Sequence, residues 1–92
     1  MNKKIKEWFD DSPFKIEHSI NGGFEIIHNN GDSIEFMLID NKGWEIFIFN
    51  EIGISLVIYA NTIEFKIDYE SDLVIMLHSN EYMYPGIMRF EK

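Results

Sequence analysis

The sequence predicts a mainly β domain of the α+β kind: a short N-terminal helix packed on a strongly twisted antiparallel meander sheet, or partly open barrel, of seven to eight strands. Three observations predict it. Turn-forming residues recur about every ten positions from Phe14 onward, which suits hairpins and is far too short for helical crossovers. Between those turns apolar and polar residues alternate, the period of a half-buried strand. Only residues 2–10 depart from that period, with Ile5, Trp8 and Phe9 at helical spacing. A chain of 92 residues has material for one core, so residues 1–92 are read as one domain, with the helix at 2–10 and the β body at 14–91.

Taken in order, the helix carries its apolar edge on one side and lysines on the other, and Ser12-Pro13 ends it. About nine residues do not hold a helix in water unaided, so Trp8 and Phe9 must dock on the sheet. The strands that follow are Phe14–Ile20, Phe24–His28, Ser33–Ile39, Trp44–Asn50, Ile54–Ala60, Thr62–Tyr69, Leu73–His78 and Ile87–Glu91. Asn21-Gly22-Gly23, Asn29-Asn30-Gly31, Asp40-Asn41-Lys42-Gly43, Glu51-Ile52-Gly53, Asn61-Thr62 and Glu70-Ser71-Asp72 separate them. Glycine at the end of such a loop supplies the left-handed position of a three-residue hairpin turn. Pro85-Gly86 then bends the chain into a last strand at a sheet edge.

A one-residue slip inverts every side chain of a strand, so loop lengths that keep like residues on like faces test the register. Three-residue loops at 21–23, 29–31 and 51–53, with a two-residue loop at 61–62, pass. Face A then holds Phe14, Ile16, Ile20, Phe24, Ile26, Ile34, Phe36, Leu38, Trp44, Ile46, Ile48, Ile54, Leu56, Ile58, Ile63, Phe65, Ile67 and Tyr69, the expected core. Face B divides. Its early part is polar, with Lys15, Glu17, Ser19, Glu25, Ser33 and Glu35, and its middle is apolar, with Met37, Ile39, Phe47, Phe49, Val57, Tyr59, Val74 and Met76. So much apolar surface requires a cover, either the helix with the last strand or an interface to a second copy or another protein.

The net charge is −8, but the basic residues collect at the chain ends. Residues 16–88 hold twelve carboxylates against Lys42 and Lys66 alone, so the β body carries ten net negative charges. That balance repels phosphate and anionic lipid and favours a basic protein surface, although solubility alone also accounts for acidic residues on a sticky β protein. Cysteine is absent, which excludes a disulfide framework and a thiolate metal site. The first nine residues lack the apolar stretch of a signal peptide, and no window reaches the length of a membrane-spanning helix. A cytoplasmic location is expected. Sixteen isoleucines and eight asparagines beside a single Ala60 and no glutamine reflect an AT-rich genome, so a phage gene acting in its host's cytoplasm fits.

Residues suited to chemistry form no recognisable set. His18 and His28 fall on one face of one hairpin as diagonal neighbours, but a zinc ion normally wants three or four protein ligands. Ser12, Ser19, Ser33, Ser55, Ser71 and Ser79 lack a nucleophile elbow or an adjacent base. Glu25 and Glu35 face each other across a strand pair, on a side too exposed for acid and base work. Asn21-Gly22-Gly23 opens no helix and so cradles no phosphate. Phe47, Phe49 and Tyr59 are interleaved with Glu45 and Glu64, which disfavours stacking on single-stranded nucleic acid. No enzymatic activity, cofactor or metal is expected.

The expected function is therefore binding. The leading reading is a stoichiometric inhibitor of a nucleic-acid-handling enzyme or defence complex, of the anti-restriction or anti-CRISPR type. Its acidic contacts are Glu17, Glu25, Glu35, Glu45, Glu64 and Asp68, with carboxylates on rigid strands standing in for phosphates. Its apolar contacts, to a partner or a second copy, are Phe47, Phe49, Tyr59, Tyr82 and Tyr84, the last two in the aromatic loop Tyr82-Met83-Tyr84-Pro85-Gly86. The alternatives are an immunity protein against a basic toxin nuclease and a homo-oligomeric, ligand-carrying β barrel. The large residues of face A argue against the barrel's cavity.

Overall fold

In the computed structural model, the described residues with alternating pattern fold into eight antiparallel strands and those with helical spacing into a helix. Residues 1–40, 42–50 and 52–92 are described, Ser55 by its backbone alone. Asn41 and Glu51 of the predicted turns, and the predicted role of the Ser55 side chain, lie outside the described residues. Helix α1 (Lys3–Asp10) is followed by β1 (Phe14–His18), β2 (Phe24–His28), β3 (Ser33–Ile39), β4 (Gly43–Asn50) and β5 (Gly53–Ala60). Then come β6 (Thr62–Ile67), β7 (Leu73–His78) and β8 (Gly86–Phe90). The described helix is too short to cross a membrane.

The first five strands make one meander sheet in the order β1-β2-β3-β4-β5, and the last three make a second, β6-β7-β8. The expected 61–62 hairpin does not form. Asn61 instead donates its N–H to the carbonyl of His78, 2.8 Å away, which steers the chain into the second sheet. The two sheets are separate layers and no closed barrel forms. Their inner faces meet in a core of Phe24, Ile26, Phe36, Ile46 and Ala60 from the larger sheet with Leu73, Ile75, Leu77 and Phe90 from the smaller.

The helix completes that core. Asn2 caps it, its side-chain oxygen accepting from the N–H of Ile5 at 2.9 Å. Ile5, Trp8 and Phe9 are all buried against β1 and β6, as the apolar edge requires. Trp8 stacks on Phe14, with ring centres 5.8 Å apart, and its indole N–H donates to the Ser71 carbonyl at 2.7 Å. A capped eight-residue helix held by three large buried side chains needs no intrinsic stability of its own.

Several expectations about faces are corrected. Ile20 and Tyr69 are solvent-exposed, because β1 stops at His18 and β6 at Ile67 and both residues ride in turns. Leu38 and Leu56 keep the inner face but are about half exposed, because three strands do not cover five. Ile54 leaves the core altogether. A bulge shifts the β4–β5 register between Ile48 and Phe49, so that Ile54 stands opposite Phe49 on the outer face. Val74 and Met76 lie on the outer side of the second sheet, away from the apolar half of face B.

Candidate protein-binding face

The outer face of the five-stranded sheet is built by register. Glu17 lies across from Glu25, Glu25 from Glu35, Glu35 from Phe47, and Phe47 from Val57. One row running straight across five strands is thus acidic for three strands and apolar for two. Neighbouring strands sit ~4.8 Å apart, so the three carboxylate stems are spaced by that distance. The adjoining row places Met37, Glu45 and Tyr59 side by side, which puts Glu45 diagonal to Glu35.

Four carboxylates on this face meet one lysine. Lys15 contacts Glu17 at 3.3 Å along the same strand, and both side chains are largely exposed. No lysine or arginine among the described residues reaches ion-pair distance of Glu25, Glu35 or Glu45. Beside the row, at the β1–β2 turn, Glu17, Glu25 and Glu35 border an open depression of about 300 Å³ whose walls include His18, Phe24 and Met37. An acidic rim over a partly apolar floor suits an arginine or lysine side chain, which brings a cationic head on an aliphatic stem.

Glu64 and Asp68 are not part of this face. Glu64 sits on β6 of the second sheet, whose outer surface points the opposite way, Asp68 lies in the β6–β7 turn, and both already have partners. Glu64 lies 3.1 Å from the His78 ring. Asp68 is clamped by the Arg89 guanidinium, which holds its carboxyl below the usual carboxylate range. Its other oxygen accepts from the N–H groups of Glu70 and Asp72, both at 3.0 Å, and so organises the β6–β7 turn. Arg89 also reaches Asp72 at 3.3 Å. These contacts fasten the turn and the strand.

The predicted apolar set divides more finely. Phe47 and Phe49 pack side by side, ring centres 6.4 Å apart, on the outer face. The structure adds Ile54 to them, a residue that strand alternation alone put inside, since only the bulge reveals it. Trp8 lies in the core on the other side of the sheet, and β8 runs in the second sheet. The expected cover of helix and last strand is therefore missing from this face. Tyr59 reaches the end of the sandwich, where it shares an open groove of about 620 Å³ with Trp44, Asn61 and Tyr82. Tyr84 is exposed.

The two histidines are separated rather than adjacent. His18 pairs with Phe24 and His28 with Phe14, at opposite ends of the same hairpin. Four residues of strand put them ~13 Å apart, too far to share an ion. No cluster of three metal-ligating side chains occurs among the described residues.

The fold and face together define an antiparallel β domain with one helix and a divided acidic and apolar outer sheet. No family model, curated protein or solved structure matches the chain.

Proposed function

We propose that this chain is a non-enzymatic protein-binding domain that seats its acidic sheet face on the basic surface of a nucleic-acid-handling enzyme. It would act as a stoichiometric inhibitor of the anti-restriction or anti-CRISPR kind. The observation that carries the reading is the unbroken row Glu17, Glu25, Glu35 across three adjacent strands. Like charges directly opposite each other in a sheet cost ~0.2–1 kcal/mol per pair, and among the described residues no lysine or arginine pairs with Glu25 or Glu35. Solubility would be served as well by scattered carboxylates. A spacing of ~4.8 Å between charges is of the same order as the one charge per ~3.4 Å of duplex axis that each DNA strand carries, which a basic groove is built to receive.

Sheet strands hold these carboxylates without the ordering cost that a flexible acidic tail would incur on binding. Opposite charge also steers the encounter and speeds association. The Phe47–Val57 end of the row supplies apolar area beside the charges, the usual anatomy of a tight interface.

The test begins with capture of host proteins on the immobilised chain, followed by affinity measurement with the captured enzyme. Affinity should fall steeply between about 0.1 and 1 M salt, as the screening length contracts from ~10 to ~3 Å. A variant with Glu17, Glu25 and Glu35 all changed to Gln should lose on the order of 100-fold. Binding indifferent to both salt and the three substitutions would reject the acidic face. Capture of a restriction or CRISPR enzyme supports counter-defence, whereas capture of a toxin nuclease encoded beside the gene makes the chain an immunity protein.

A further inference from the structure

The four sheet edges are not alike. β1 carries Lys15 and Glu17, β6 carries Glu64 and Lys66, and β8 carries Arg89, whereas the eight residues of β5 include no charge. Charged side chains on an edge strand oppose the addition of a further strand, so three edges are guarded by charge, whereas on β5 only the bulge between Ile54 and Leu56 interrupts the edge. β5 pairs with β4 on one side only, and its alternate backbone N–H and C=O groups point outward. It also shows apolar side chains to both faces: Ile54, Val57 and Tyr59 outward and Leu56 inward, from 38% to 67% exposed.

We infer that β5 is the pairing edge of a symmetric homodimer, in which two β5 strands run antiparallel and join two five-stranded sheets into one of ten. A second copy fits this edge better than the basic partner proposed above, because β5 offers no carboxylate. Across a two-fold axis at its centre, β5 faces itself and brings no like charges together, although each copy carries −8. The nearest described carboxylate of this face, Glu45, lies one strand from the edge beside Tyr59, so that its counterpart in the second copy is three strands away, ~14 Å and beyond one screening length at moderate salt.

The exposed parts of β5 residues Ile54, Leu56, Val57 and Tyr59, with Ile52 of the turn before them, set an upper bound of on the order of 600 Å² per copy, below the ~800 Å² that a standard interface takes from each partner and in the range of a weak, concentration-dependent dimer. A contact that uses the same edge on both copies closes at two, and the charged edges elsewhere discourage growth beyond that.

The inference stands apart from the acidic reading and is tested without any partner. Sedimentation equilibrium of the full chain, from about 1 µM to 1 mM, should show a monomer–dimer equilibrium that strengthens with added salt, because screening relieves repulsion between the copies. Hydrogen exchange at the β5 amides should slow as the concentration rises. Leu56→Lys and Ile54→Lys point to opposite faces from side chains already half exposed, so each should keep the near-ultraviolet dichroism of the folded chain. Each should also weaken dimerisation at least ~30-fold, through a charge on the paired edge. If one variant fails to fold, the other and the wild-type exchange pattern still decide. A monomer at 1 mM, a dimer untouched by the lysines, β5 amides that stay unprotected in the dimer, or growth beyond two copies would each overturn the proposal.

Discussion

Glu25 lies directly across from Glu35 in the β2–β3 ladder, on a face where no lysine or arginine of the described residues pairs with either. An arrangement that strains the fold and serves a partner should respond oppositely in stability and in binding. Glu25→Gln is expected to raise the free energy of unfolding by ~0.2–1 kcal/mol while weakening partner affinity. Urea denaturation provides the first number and titration with the captured enzyme the second. A loss of stability on this substitution would mean that Glu25 has a structural role.

The Trp8 indole and the Ser71 carbonyl join the helix to the β6–β7 turn across 63 residues of chain. Trp8→Phe removes that hydrogen bond and part of a buried ring, and should cost about 2 kcal/mol. Trp8→Ala should cost ~3–5 kcal/mol, a large share of what a small domain has. Denaturant midpoints at constant slope measure both. Equal costs for the two would mean that the ring Phe retains contributes nothing and that the energy lies in the N–H and the part of the indole lost in both.

Gly43 and Gly31 both adopt positive φ, +127° and +99°, but in different surroundings. A Cβ on Gly43 would sit 2.4 Å from the Ala60 carbonyl oxygen, whereas one on Gly31 meets nothing within 4 Å. Gly31→Ala should therefore cost only the left-handed backbone penalty, ~1–2 kcal/mol. Gly43→Ala should cost clearly more, about 3 kcal/mol or above, because it also forces β4 and the end of β5 apart. Thermal melts of the two variants side by side give the comparison.

Arg89 beside Asp68 lowers that carboxyl's pKa in the folded state, chiefly through their hydrogen bond. The resulting stability is fully present above the unfolded value of about 3.9 and is lost as pH falls through the lower folded value. Asp68→Asn should thus be less stable than wild type at neutral pH. The two stability curves should converge as the solution becomes strongly acidic. Parallel curves would show that the carboxylate's charge plays no part.

Much of this was legible in the residues. The turn residues Asn21-Gly22-Gly23 and Asn29-Asn30-Gly31 and the alternation between them set the β1–β2–β3 register, and Glu25 faces Glu35 as that register requires. The helix edge of Ile5, Trp8 and Phe9 was equally plain, because helical spacing of large apolar residues in a short stretch has few other solutions. Asn2, the helix cap, was a signal available to the same reading.

The sequence by itself determined the strands, the alternation of faces through β4, and the acidic character of the β body, because each depends on period, turn chemistry or charge within a few residues. Tertiary structure alone decided that the chain leaves the first sheet after Ala60, that a bulge carries Ile54 to the outer face, and that Glu64 and Asp68 look away from Glu17, Glu25 and Glu35. Strand partners, bulges and sheet coverage follow from packing between distant segments. Helix α1 closes the core between the two sheets and leaves the far side of the larger sheet, with its open β5 edge, uncovered.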